Sequence, residues 1–189
     1  ISIASKFQIR FFATGGIGGV HLNAENTNDV SADLYALSEN SNFVICSGAK
    51  SILDLSKTNE LLETLGITRI GYQTNYMPGF WYEETENKVD NKFDEIHEIS
   101  SFLKLNENMG NKKSILIFNK VPLEKALNKN DVEKWINNAT IKADRNNISG
   151  KELTPFLIKE INEQSKNETL NANVSLIINN ANLAGKIAK

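Results

Sequence analysis

A lysine at position 50 stands directly after the run Val44-Ile45-Cys46-Ser47-Gly48-Ala49, on a loop leaving what reads as a buried strand. Small neighbours leave room around its amine and strip away part of its water. A partly desolvated amine favours its neutral form, and a neutral amine can attack a carbonyl carbon to form an imine. The plainer alternative is a surface lysine at a helix start. The helix dipole disfavours a cation in that place, which tilts the reading toward chemistry.

Upstream, Thr14-Gly15-Gly16-Ile17-Gly18-Gly19-Val20-His21 concentrates glycine in one loop. Glycine admits positive φ and lets main-chain N–H groups come close to a ligand. Two familiar phosphate loops fail on spacing. A dinucleotide fingerprint starting at Gly16-Ile17-Gly18 needs glycine where His21 stands, and Gly48-Ala49-Lys50-Ser51 has an alanine inserted into the Gly-Lys-Ser of a P-loop. A tight turn serving packing alone is the competing reading. Farther on, Asp29, Ser31 and Asp33 crowd the start of a helix. Asp29 could hold a hard divalent cation through a carboxylate oxygen and water. Ser31 and the adjacent amides could bind a phosphate with help from the helix dipole. Ordinary capping by Asp29 or Ser31, worth ~1 kcal/mol, explains the same residues without a ligand.

Short buried strands alternating with helices would position these residues. Ile1 to Phe7 reads as the end of a helix, Ile9 to Ala13 as a strand, and Thr14 to Asn28 as a loop. A helix starts near Asp29. Phe43 to Cys46 is a continuous apolar run, as in a strand buried on both faces. Helix spacing follows through Thr58 to Leu65, stopped by Gly66, and Thr68 to Tyr72 is the next strand. Thr74 to Asn87 is irregular, with a turn at Pro78-Gly79. Asp90 to Leu105 carries helical spacing, and Ser114 to Phe118 is another buried strand. Helices then cover Asp131 to Asn147, Thr154 to Gln164 and Leu170 to Lys189, with Gly150 and Pro155 between the first two. This alternation predicts an α/β fold, a three-layer α/β/α arrangement with a central mixed sheet, as one domain over residues 1–189. The loops after Ala13 and Cys46 would meet at one sheet edge, where open α/β sheets bind ligands.

Composition narrows the function classes. The 189 residues are 40% apolar and 23% charged, with a net charge of −2 and a pI of about 5.8. No basic stripe is present, so nucleic-acid binding is disfavoured, while a small phosphorylated ligand needs only a few donors. Cys46 stands alone, which excludes an internal disulfide, suits a reducing compartment, and reads as a small buried hydrophobe. No apolar run reaches the ~20 residues that span a bilayer, and no signal-peptide pattern opens the chain. A cytoplasmic protein with no membrane contact is expected. Asparagine makes up roughly one residue in seven, scattered as a compositional habit rather than gathered in tracts. The chain opens at Ile1, without methionine and as if inside a helix, which predicts a fragment.

The ordered segments together resemble one family. Phe12 to His21, Asp29-Val30-Ser31-Ala32-Asp33-Leu34 and Cys46-Ser47-Gly48-Ala49-Lys50-Ser51-Ile52-Leu53-Asp54 are similar to the signature of pseudouridine-5'-phosphate glycosidases, also called indigoidine synthase A-like proteins. The likeness continues through Leu62 to Gly66, Gly71-Tyr72-Gln73-Thr74, Thr154-Pro155-Phe156-Leu157, Asn171-Ala172-Asn173 and Asn179-Asn180-Ala181, and covers essentially the whole chain. The resemblance implies reversible cleavage of pseudouridine 5'-phosphate to uracil and ribose 5-phosphate, with Mn2+ as cofactor and a homotrimeric assembly. It implies Lys50 as nucleophile, Asp29 as the metal ligand, Ser31, Ala32 and Asp33 on the sugar phosphate, and Asn173 near the base. Thr14 and His21 would be further pocket contacts. The chemistry gives the lysine a reason. An ordinary glycosidase protonates an oxygen or nitrogen leaving group. Here the leaving atom is carbon, so protonation alone does not make it leave, and a lysine that opens the ribose and ends as an imine at the anomeric carbon lets the C–C bond break.

Some positions depart from the family pattern. Leu22 stands where a basic residue is usual, Ser47 and Gly79 stand where alanine is common, and the usual glycine is missing from Ser165 to Leu170. The family's glutamate proton donor and phosphate-binding lysine belong to an N-terminal portion with no matching positions here. Glu25 is the nearest carboxylate in the loop but lies outside the motif. A non-catalytic sugar-phosphate-binding or assembly subunit, or a truncated inactive product, is the alternative to the enzyme.

Overall fold

The computed structural model describes residues 1–189 except the Lys151 side chain. Its elements are α1 (Ser2–Lys6), β1 (Phe11–Ala13), α2 (Ala24–Thr27), α3 (Ala32–Glu39), β2 (Phe43–Cys46), α4 (Leu55–Thr64), β3 (Thr68–Tyr72), β4 (Asn91–Phe93), α5 (Ile96–Asn108), β5 (Ile115–Phe118), α6 (Lys129–Arg145), α7 (Leu153–Gln164) and α8 (Glu168–Ile187). The strands lie in the order β1-β2-β5-β3-β4.

All four strand pairings are parallel, so the mixed sheet expected from the sequence is corrected. The physical reason lies in the connections. Parallel neighbours need a crossover between them, and every strand here is followed by a helix or a long irregular segment that carries the chain back to the same end. Consecutive strands therefore run the same way. The alternation along β2 and β5 shows the three layers directly. Val44, Cys46, Leu116 and Phe118 face a cluster built with Leu34 and Leu37 of α3, Leu62 of α4, Ile136 of α6, Ile161 of α7 and Leu176 of α8. Phe43, Ile45, Ile115 and Ile117 face the opposite side, against Ile99 and Leu103 of α5 and Leu183 and Ile187 of α8. Each such side chain contributes ~1.5–3 kcal/mol on full burial. Among the described residues, no helix is long and apolar enough to cross a membrane.

Some expected boundaries move. The spacing from Asp90 to Leu105 predicts helix over Asn91 to Phe93, which instead form a short, largely exposed edge strand with Asn91 opposite Ile70 of β3. An exposed edge strand carries no hydrophobic signature to read. Its tie to β3 is polar: the buried Arg69 guanidinium meets the Asp90 carboxylate at 2.6 Å, and Asp90 also accepts from the Arg69 backbone amide. The helix before β3 starts earlier than its apolar spacing suggested, because the Asp54 carboxylate accepts from the Lys57 amide and caps it.

Candidate active site

The loops after β1 and β2 do not diverge at the carboxyl edge of the sheet. They continue as a hydrogen-bonded ladder. Thr14 N donates to Ile45 O at 3.0 Å, Ser47 N to Gly15 O at 2.9 Å, Ile17 N to Gly48 O at 3.1 Å, and Lys50 N to Ile17 O at 3.1 Å. Lys50 is therefore the last rung of a continuation of the core, on half-buried backbone rather than on a free surface loop.

The glycines make this ladder possible. Gly48 has φ +86°, and a Cβ there would lie 2.1 Å from the Pro78 carbonyl. A Cβ on Gly16 would meet the Phe80 ring at 2.7 Å, and one on Gly15 would meet Leu176 of α8 at 2.9 Å. The glycine loop is thus clamped between the 77–81 segment and α8. Ser51 adds a strut, its hydroxyl donating to Gly79 O at 2.6 Å.

The other side of the same loop meets the start of α3. Val20 bridges Val30, and His21 bridges Leu53, so residues 17–21 run between the Lys50 segment and the Asp29 segment. Ser31 caps α3, its hydroxyl accepting from Asp33 N at 3.2 Å. The Asp33 carboxylate accepts from Gly18 N at 2.8 Å. Capping and loop bracing are thus both present. The ligand reading of Ser31 and Asp33 competes with a structural duty that the geometry already shows. Ala32 is the exposed first residue of α3.

Asp29 and His21 form the nearest thing to an ion site. The His21 Nδ1 lies 3.9 Å from the Asp29 carboxylate, too long for a hydrogen bond, and the backbone joins them through His21 N to Asp29 O at 3.0 Å. Among the described residues no three His, Cys, Asp or Glu side chains converge. A zinc-type cage is not available. One carboxylate with access to solvent fits a hard divalent ion that keeps most of its water. Beside the pair opens a cleft of ≈ 620 Å³, shared with Thr27, Ser149, Leu153 and Thr154, a size that accepts a nucleotide-sized ligand. A second cleft of ≈ 510 Å³ is lined by Ser51, Asp54, Tyr82, Lys129 and Glu133. Of the expected site residues, His21 and Asp29 line the first cleft, and Lys50 lines neither.

Asn173 sits on α8, where its side-chain oxygen accepts from the Trp81 indole at 2.7 Å. The structure thus gathers Lys50, Thr14, His21, Asp29, Ser31, Ala32 and Asp33 along one sheet edge, with Asn173 on the helix that covers it. Sequence reasoning missed the residues that hold them. Asn180 reaches the backbone of Thr14 at 2.8 Å from the same face of α8 as Asn173. Thr58 supports the loop through Val20 N, which donates to its hydroxyl at 2.9 Å. The seven-residue spacing from Asn173 to Asn180, two helical turns, is the signal that could have found the first of these. The Glu25 carboxylate is paired with Lys57, 2.7 Å from its Nζ.

Residues 1–189, the whole chain, match the model of the indigoidine synthase A like protein family. The chain belongs to that family. Among curated proteins, the pseudouridine-5'-phosphate glycosidase of Petrotoga mobilis is 46% identical over 187 residues, covering 99% of this chain and 61% of the relative. That of Staphylococcus aureus is 45% identical over 185 residues, covering 98% and 60%. Of solved structures, the prealnumycin C-glycosynthase AlnA in complex with ribulose 5-phosphate superposes with a TM-score of 0.93 at 31% identity, covering 99% of this chain and 62% of that one. An indigoidine synthase A-like protein from Thermotoga maritima gives 0.90 at 34% identity, covering 100% and 61%. The chain thus spans about three fifths of the length of these relatives.

Proposed function

We propose that this chain is the lysine-bearing part of a pseudouridine-5'-phosphate glycosidase, which reversibly splits the substrate's C–C glycosidic bond into uracil and ribose 5-phosphate. The observation that carries the reading is the ladder ending at Lys50, which ties an amine-bearing residue through its backbone to the glycine loop that also bridges the Asp29 segment. The glycosidase names of the curated relatives and the sugar phosphate bound by the AlnA neighbour support the same choice.

The bond changes balance as follows. The Lys50 amine displaces the ring oxygen at the anomeric carbon, and that oxygen takes up a proton as the ribose opens. The nitrogen lone pair then forms a C=N bond while the base leaves through carbon, and the base gains a proton where the C–C bond was. Water adds to the imine and releases ribose 5-phosphate with the free lysine. A carboxylic acid must shuttle these protons. The family resemblance assigns it to a glutamate in the portion of the family's fold with no matching positions here.

Ser31, Ala32 and Asp33 would meet the sugar phosphate, with the α3 N-terminal amides turned toward its charge. Thr14 and His21 would complete the pocket. Asn173 would face the base. Asp29 would hold Mn2+, which when bound supplies positive charge beside the phosphorylated sugar. A homotrimer and a cytoplasmic setting complete the reading; the family resemblance supports the first, and the lone buried Cys46 accords with the second.

Trapping tests the reading. The protein is incubated with ribose 5-phosphate and cyanoborohydride, then digested for mass spectrometry. A reduced pentose-phosphate adduct is expected on Lys50, absent from Lys50→Ala. No adduct on folded protein, or an adduct spread over surface lysines, would replace this reading with a sugar-phosphate-binding subunit.

A further inference from the structure

We infer that Asn180 is a positioning residue for Lys50: its buried carboxamide clamps the root of the ladder whose last rung carries the lysine. This rests on the imine-forming reading of Lys50. Asn180 is fully buried on α8. Its Nδ2 donates to Thr14 O at 2.8 Å and to the Ser47 hydroxyl at 3.1 Å, with a longer approach to Gly15 O at 3.5 Å. Its Oδ1 accepts from Asn119 Nδ2 at 3.1 Å and lies 3.4 Å from the Ser47 hydroxyl. The orientation of the amide is forced, because the Thr14 carbonyl can only accept.

These partners are not scattered. Thr14 follows β1, Ser47 follows β2 and Asn119 follows β5, which are three neighbouring strands. One side chain therefore ties the carboxyl ends of all three to α8. Burying a carboxamide is costly unless every polar atom is matched, and here the matching is spent at the ligand-binding edge instead of in the core. From Ser47 the ladder runs only three residues to Lys50, at most roughly 10 Å of chain. A shift at the root is carried along the hydrogen-bonded pair to the amine. Attack on a carbonyl tolerates little such displacement, since ~1 Å of misplacement can cost ~100-fold in rate.

Asn180→Asp keeps the shape but sets an oxygen against the Thr14 carbonyl. Two measurements on the intact chain decide the matter. In cyanoborohydride trapping with ribose 5-phosphate, the maximal rate of adduct formation at Lys50 should fall ~10–100-fold. The half-saturating sugar concentration should move less than ~3-fold, and the end point should still reach one adduct per chain, which a partly unfolded sample would not do. In amide hydrogen exchange, protection at Ile17 and Lys50 should drop by ~10-fold while β3 amides stay protected. Ser47→Ala, which removes one arm only, should show a smaller loss of the same kind and covers the case in which Asn180→Asp fails to fold. Ile99→Val, a core change on the opposite sheet face, should leave the trapping rate unchanged. The inference is overturned if folded Asn180→Asp traps at the wild-type rate, if only the half-saturating concentration changes, or if Ile17 and Lys50 exchange as in wild type. A wild-type chain that forms no adduct overturns the lysine reading itself, and the exchange data then report on the clamp alone.

Discussion

The Trp81 indole donates to the Asn173 carboxamide oxygen at 2.7 Å, joining the segment that covers the glycine loop to the helix that closes the site. Indole nitrogen can only donate, so the oxygen of Asn173 must face it and the NH2 must face elsewhere. In the proposed base site, Asn173 would therefore donate to a carbonyl oxygen of the base. Trp81→Phe removes the donor and frees the amide to turn over. Stability should drop by ~1–3 kcal/mol for the lost, part-buried bond. Uracil binding, measured by calorimetry in the presence of ribose 5-phosphate, should weaken several-fold. Unchanged uracil affinity would remove Asn173 from the base site.

Gly48 offers a test of the ladder geometry. Its φ of +86° and the 2.1 Å approach of an added Cβ to the Pro78 carbonyl leave no room for alanine. Left-handed backbone costs a non-glycine residue ~1–2 kcal/mol, and a collision with backbone adds to it. At ~2–4 °C per kcal/mol for a chain of this size, Gly48→Ala should lower the melting temperature by at least ~4 °C. Trapping at Lys50 should fall with it. A variant melting like the wild type would mean that the turn before Lys50 adapts freely.

Much of this architecture was legible in the residues, and the gaps have physical causes. Phe43 to Cys46 is legible to the residue, because a strand buried on both faces leaves an uninterrupted apolar run; Thr68 to Tyr72 matches its reading although Arg69 interrupts it. Asn91 to Phe93 left none, being a largely exposed edge. The parallel direction of the sheet is a property of connections and not of any strand, so composition along a strand could not supply it. At the site, the lysine and glycines stood out by type, whereas the residues holding them did not. Asn180 lies in the Asn179-Asn180-Ala181 segment of the family likeness, but the sequence gives it no task, and only the fold brings it to three strand ends. Asp33 shows the reverse: the family resemblance implies a contact with the sugar phosphate, and its carboxylate accepts from Gly18 N.

Alkaline stability should depend on Cys46. Burial pushes its thiol up from 9.0 to about 12, against a small opposing effect of the Gly48 amide. Burial, then the Glu133 charge, pushes the Tyr82 phenol up from 10.0 to about 12. In both cases the folded state keeps a proton that the unfolded chain releases. The contribution is whole below the unfolded value and is lost as pH rises, from 9 toward 12 for the thiol. The slope for one such group cannot exceed about 1.4 kcal/mol per pH unit. Urea unfolding between pH 8 and 11 should show falling stability, and Cys46→Ala should be less stable at pH 8 yet decline less steeply. Parallel declines would mean that the thiol is reached by solvent before unfolding.

The proton donor is the last question, and Glu25 is the carboxylate to test. It lies in the glycine-rich loop region, but its carboxylate meets Lys57 Nζ at 2.7 Å. The hydrogen bond from Lys57, foremost, holds its pKa below the ordinary 4.5. A carboxyl with a depressed pKa is ionised at neutral pH and has no proton to give to a departing base. Whatever the pair adds to stability is present above the ordinary value and is lost as pH falls below it, an acid effect far from working pH. Glu25 is also exposed, so solvent and salt screen the pair. Glu25→Gln should therefore leave the melting temperature at pH 7 and the Lys50 trapping rate close to those of the parent chain. Turnover of pseudouridine 5'-phosphate, followed by release of uracil, should also be unaffected at whatever level the parent shows. Turnover that vanishes in Glu25→Gln while trapping persists would give the acid to Glu25, and with it a complete catalytic pair within these residues.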